Sequence, residues 1–261
     1  MREHHEAAIA RAVERYSADP SILAILLGGS IAHGFETEGS DVDIMLVVSD
    51  HELAERTARF ETTFADVELA GYDGGYVDVK YVSPGYIIEV GARGSEPSRF
   101  AFAGARVLFT RLDWLPAEIT RAAEYPTAGR TERIARFAAQ LEAWRWYAGE
   151  AGKKDDPYLL ATASSRVVLF AGRLLLAHNE LLYPFHKWFL RVLESAGDKP
   201  EGIVDLMRQV SATPNAAAVE KLADVVLGFR EWERGTIEWP NYFTADTEQS
   251  WMRDAAAVED L

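Results

Sequence analysis

Five consecutive apolar residues, Ile44 to Val48, limit the fold more than any other stretch. They show no alternation, so as a strand they must be covered on both faces, as the central strand of a sheet is. Other short apolar runs bounded by turn residues agree with a sheet. "SILAILLGG" reads as a buried strand ended by glycines. "GGYVDVKYVSP" reads as a third strand between glycines and a proline, and "GARVLFT" as a fourth. "HELAERTARFETTFADVELA" carries a helical period throughout, and "MREHHEAAIARAVERY" reads as an amphipathic helix stopped at Asp19-Pro20.

Beyond about residue 112 the strand signals fade. Ile134, Phe137, Leu141 and Trp144 recur at helical spacing, as do Val219, Leu222, Val226, Phe229 and Trp232. "DDPYLLATASSRVVLFAGRLLLAHNE" opens with an Asp cap and a proline and stays helical to about residue 179. "PFHKWFLRVLESAG" reads as a further helix, and "LPAEITRAAEYPTAG" as a connection. The expected architecture is α+β: a mixed sheet with flanking helices over residues 1–112, then an all-α helical bundle over 113–261.

The charge of −14 argues against a nucleic-acid partner, because a polyanion needs cations to displace its counterions. There is no cysteine, which removes disulfides and thiolate metal sites. No run of ~20 uninterrupted apolar residues suggests a membrane span, and the N-terminus lacks the apolar core of a signal peptide. A cytoplasmic protein is expected.

Two carboxylates, Asp41 and Asp43, stand directly before the apolar run. Side chains alternate along a strand, so both point to one face, ~7 Å apart along the chain. A cation resolves their repulsion. Hard divalent ions such as Mg²⁺ take one or two carboxylates together with phosphate oxygens. Two such ions, about 4 Å apart, clamp the attacking and leaving oxygens of a phosphoryl or nucleotidyl transfer. Upstream, Gly28-Gly29-Ser30 follows a strand. Its amides and hydroxyl suit an anion nest. Asp78, flanked by Val77 and Val79, supplies a third carboxylate if its strand lies beside that of Asp43, as metal ligand or as proton acceptor.

Gly29-Ser30, ten intervening residues, then Asp41-Val42-Asp43-Ile44 in an apolar strand, with Asp78 on a later strand, resembles the DNA polymerase beta-like nucleotidyltransferase superfamily. A small catalytic domain followed by helices also resembles the antibiotic nucleotidyltransferases. The resemblance implies that Ser30 contacts a triphosphate, that Asp41 and Asp43 hold two Mg²⁺ ions, and that Asp78 completes the site. The implied reaction moves a nucleoside monophosphate, AMP from ATP in first place, to a hydroxyl of a small-molecule acceptor and releases pyrophosphate. A protein acceptor, as in antitoxin-like relatives, and a non-catalytic nucleotide-binding module are the alternatives. No role follows for His33.

Cations for the phosphates are sought in the helical half. Lys187 lies among aromatics in "LLYPFHKWFL", and Arg166 shares a helix face with Arg173, with small neighbours Ser164 and Ser165. Lys187 and Arg166 are the nucleotide-binding candidates there. Arg99, in the polar stretch "ARGSEPSRF", is weighed equally as a nucleotide contact and as a loop residue. Most of the tryptophans after residue 140 are expected in the core, and His4 and His5 in solvent.

Overall fold

The computed structural model describes residues 1–233 and 237–261. The chain divides into two compact units, Met1–Glu124 and Tyr125–Leu261.

The first unit opens with helix α1 (Glu3–Ser17) and runs through β1 (Ala24–Leu27), α2 (Gly29–His33), β2 (Val42–Val47), α3 (Asp50–Arg59), β3 (Thr63–Asp66), α4 (Val67–Ala70), β4 (Val77–Val82), α5 (Pro84–Arg93), α6 (Glu96–Phe100), β5 (Arg106–Thr110) and α7 (Leu115–Ala122). The five strands form one sheet in the order β3-β4-β2-β1-β5. β2 and β4 run parallel; the β1–β2, β1–β5 and β3–β4 pairs are antiparallel.

Both faces of the sheet are covered, as the unbroken apolar run requires. Ile44, Leu46 and Val48 face one way and join Ala8, Ile9 and Ala12 of α1. Met45 and Val47 face the other and join Ile87 and Val90 of α5 with Leu115 and Ile119 of α7. Leu115–Ala122 therefore belongs with the sheet, although it reads as a connector because its apolar face is only three residues long.

Three other readings are corrected. The helical period after Asp50 does not run through to residue 70. It stops where Phe60 enters the left-handed region at φ 57°, and Thr63–Asp66 becomes an edge strand. A glycine there would have announced the stop; a phenylalanine does not. The stretch after the third strand is two helices, α5 and α6, each capped by a serine: Ser83 accepts from the Tyr86 amide and Ser95 from the Ser98 amide. His5 is fully buried, with its Nε2 3.1 Å from the Ser40 carbonyl oxygen, and His4 Nε2 lies 3.0 Å from that of Glu38. These histidines pin the loop before β2 onto α1 rather than facing solvent.

The second unit is helical: α8 (Arg130–Lys154), α9 (Pro157–His178), α10 (Phe189–Glu194), α11 (Ile203–Ala212), α12 (Ala216–Leu227) and α13 (Trp239–Asp246), followed by short 3-10 turns at Ser250–Met252 and Val258–Asp260. α8 and α9 pack along their length, with α12 and α13 against α8 and α10 to α12 against α9. The Asp156 carboxylate caps α9 by accepting from the Leu159 amide at 2.9 Å, as the Asp-Pro opening predicts. α9 is long and apolar enough, by length and composition, to cross a membrane, contrary to the reading above. Its apolar window is 67% buried within the unit. α10 starts at Phe189, five residues later than the proline suggests, because Phe185 takes a positive φ and the Tyr183 hydroxyl and His186 Nδ1 lie 3.1 Å apart in the turn before it. Of the tryptophans expected in the core, Trp232 is buried, whereas Trp146 and Trp251 are 52% and 81% exposed.

Candidate active site

The sheet register brings the three aspartates together. β2 and β4 are neighbours, and Asp43 pairs directly with Asp78. Adjacent strands lie about 4.8 Å apart, so these carboxylates start from the same edge of the same face. Asp41 is two residues upstream of Asp43 and shares that face. Carboxylate oxygens of Asp41, Asp43 and Asp78 lie within 4.8 Å of one another, and all three residues are half-buried.

The glycine–serine turn closes on this cluster. Gly28 donates its amide to the Asp43 carbonyl at 2.9 Å, which ties the turn to β2. Gly29 has φ +60°, and a Cβ placed on it would stand 1.6 Å from Asp43 Oδ2. Only a glycine lets the turn and the carboxylate occupy this space. Ser30 follows, 5% exposed, and its hydroxyl oxygen has no partner among the described residues.

Tyr76 is a site residue that the sequence reading missed. The nearby Asp41 carboxylate holds the Tyr76 phenol above its ordinary pKa, with Asp78 and Asp43 adding to the effect. The signal was present: Tyr76 is two residues before Asp78, so strand alternation puts both on one face. Tyr72 donates its hydroxyl to the Ser40 carbonyl at 2.7 Å and fixes the residue before Asp41.

Burial, and then the charge of Asp41, push the Asp78 carboxyl above the ordinary carboxylate range, with Lys80 opposing. Its folded pKa is raised, so between the ordinary and the raised value the folded chain binds more protons than the unfolded one. Stability is therefore lost as pH rises through that window, and the deficit persists above it. Asp78→Asn should raise the melting temperature of the metal-free protein at neutral pH. The advantage should shrink as pH falls toward the ordinary aspartate value. Thermal melts in chelator at several pH values check this; a lower melting temperature for the variant at pH 7 would show that Asp78 is held by favourable contacts instead.

This donor set fits a hard divalent cation. Three carboxylate oxygens within 4.8 Å of one another are the arrangement such ions neutralise.

Arg99 is 4% exposed and donates to the carbonyls of Gly94, Gly91 and Glu124 at 3.0 to 3.2 Å. It clamps the ends of α5 and α7, a structural task. His33 stacks on Phe100 with centroids 4.3 Å apart, and burial lowers its pKa. Lys187 and Arg166 are both in the helical unit. Lys187 is exposed, its Nζ 5.1 Å from the Trp188 ring centroid. Arg166 Nη1 pairs with Glu259 at 2.8 Å, and Ser164, read as leaving open space beside it, is fully buried.

Residues 8–89 match the family model of the nucleotidyltransferase domain. The chain is similar to a solved nucleotidyltransferase-like protein from Exiguobacterium sibiricum, with a TM-score of 0.50 at 12% identity, over 96% of this chain and 80% of that one. At this identity the likeness concerns the fold. No curated protein matches the sequence. The matched span runs from α1 into α5 and holds the turn and all three aspartates, so residues 8–89 form a nucleotidyltransferase domain of the polymerase beta-like kind.

Proposed function

We propose that the protein transfers AMP from ATP to a hydroxyl of a small-molecule acceptor and releases pyrophosphate, with two Mg²⁺ ions held by Asp41, Asp43 and Asp78. The observation that carries this reading is the Asp43–Asp78 register, which sets a third carboxylate beside the aspartate pair. The bound ions would supply charge neutralisation for the triphosphate and for the oxygens at the reacting phosphorus. Ser30, with its buried unpartnered hydroxyl, donates to a phosphate oxygen, which relieves a deficit of roughly 1–3 kcal/mol. Gly29, lacking a Cβ, lets the backbone come close to the phosphates. The acceptor oxygen bonds to the α-phosphorus as the bond to the β-phosphate oxygen breaks. The hydroxyl proton passes to Asp78, the carboxylate set beside the aspartate pair by the strand register.

The acidic surface, net −14, favours a cationic acceptor such as an amino sugar, whose capture should weaken with salt. The test supplies ATP labelled on the α-phosphate, Mg²⁺ and a panel of hydroxyl compounds, and follows pyrophosphate release and label transfer. Label moving to a small molecule, dependent on Mg²⁺ and lost in Asp43→Asn, is the expected result. Label moving instead to a protein added from lysate would replace the small acceptor with a protein one. Equal activity in Asp43→Asn would refute the assigned site.

A further inference from the structure

Two arginines of α9 meet a matching row on α8. Arg166 and Arg173 are seven residues apart, two helical turns, and so share a face. Phe137 and Trp144 of α8 are also seven apart. Arg173, fully buried, lies with its guanidinium carbon 4.5 Å from the Phe137 ring centroid and 4.6 Å from that of Tyr183. Arg166 lies 5.8 Å from the Trp144 ring. Gln140 stands between Phe137 and Trp144 on the same face of α8. It is 1% exposed, and its Oε1 accepts from Trp144 Nε1 at 3.2 Å. Its Nε2 has no partner.

An acidic segment of the same chain covers this row. The 3-10 turn Val258–Asp260 rests on α8 and α9. Glu259 takes the Arg166 hydrogen bond, and Arg173 Nη2 donates to the Leu261 carbonyl. The fit is incomplete. Asp260 Oδ1 is buried without a partner. Burial, and then the charge of Glu259, push the Asp260 carboxyl up. Burial, the largest single influence, works to raise Glu259, but the Arg166 hydrogen bond, a backbone hydrogen bond and the nearby charges of Arg166 and His186 together hold that carboxyl below the ordinary range. An orphaned buried oxygen on one side and an orphaned buried N–H donor on the other are a costly way to pack a permanent core.

We propose that Arg166, Arg173 and Gln140 form an oligophosphate-binding site within the helical unit, and that Glu259 and Asp260 occupy it as a displaceable internal stand-in. The donors match the class: two guanidiniums, which pair with phosphate in a fork, and an amide N–H₂. The choice of oligophosphate over other polyanions rests on the proposed function, in which a triphosphate enters and pyrophosphate leaves.

The experiment is calorimetric titration of inorganic pyrophosphate, in chelator so that the aspartate site takes no metal, into the full chain and into the Glu259→Gln/Asp260→Asn double variant. The double variant should bind pyrophosphate at least about tenfold more tightly, and adding Arg166→Gln should cancel the gain. No gain, or a gain that survives Arg166→Gln, overturns the proposal. A second readout uses the unaltered chain: amide hydrogen exchange at residues 258–261 should speed up with saturating pyrophosphate or with an ATP analogue non-hydrolysable between the α- and β-phosphates. Unchanged exchange with both ligands overturns the proposal without any variant. Displacement by either ligand supports the site. Failure of the proposed function would show separately, as absence of label transfer by the wild type.

Discussion

Asp43→Asn is expected to abolish measurable nucleotidyl transfer, a loss of about 10³-fold or more, while the protein melts no lower than the wild type. The first half follows from position. Asp43 is the middle of the three carboxylates, paired in register with Asp78 and two residues from Asp41. Removing one preorganised charge from a reacting centre costs on the order of 10²–10³ in rate, and an amide in its place is a far poorer ligand for a hard cation. The second half follows from electrostatics. Without metal the three carboxylates repel one another at separations within 4.8 Å, so deleting one charge relieves the fold rather than weakening it. The pair of measurements is pyrophosphate release under Mg²⁺ and a thermal melt in chelator. Lost activity with a clear drop in melting temperature would mean that Asp43 is a structural residue whose loss unfolds the site. Retained activity would remove it from the chemistry altogether.

The aspartates were legible because the chemistry leaves a local mark. Charged residues abutting an unbroken apolar run conflict with burial, and the conflict is visible in one dimension. The same holds for the capped, proline-opened start of α9 and for the double-sided burial of Ile44–Val48, which is met by α1 on one face and by α5 and α7 on the other. What could not be read depends on partners distant in the chain. Arg99 looks like a surface arginine in a polar stretch, and only the fold brings the Gly91, Gly94 and Glu124 carbonyls around it. His5 is buried because the loop before Asp41 folds back to it across 35 residues. β3 was hidden by a left-handed phenylalanine, which no turn signal marks. Arg166 shares a helix face with Arg173 by spacing alone, but the Glu259 that covers it lies 93 residues away.

Gly29 offers the other large effect, and a neighbouring glycine supplies its control. Gly29 and Gly34 both sit in the left-handed region, at φ +60° and +69°. An alanine at either position carries the same backbone penalty, roughly 1–2 kcal/mol. The surroundings differ. A Cβ at Gly34 meets nothing within 4 Å, whereas a Cβ at Gly29 would lie 1.6 Å from Asp43 Oδ2 and 2.1 Å from its Cγ. Gly34→Ala should therefore lower the melting temperature by a few degrees and leave transfer within several-fold of wild type. Gly29→Ala should lower it at least as much and also drive the Asp43 carboxylate out of register with Asp78. Displacements near 1 Å at a reacting centre cost on the order of 10²-fold in rate, so transfer by Gly29→Ala should fall by about that factor or more. Parallel melts and initial rates for the two variants separate strain from displacement. If both variants lose activity equally, the close approach of Gly29 to Asp43 is not what shapes the site, and the turn matters only through its backbone conformation. If Gly29→Ala alone loses activity, the absence of a side chain at this one position is part of the catalytic geometry, because it is what allows a phosphate-facing turn and a metal-facing carboxylate to share the same few ångströms.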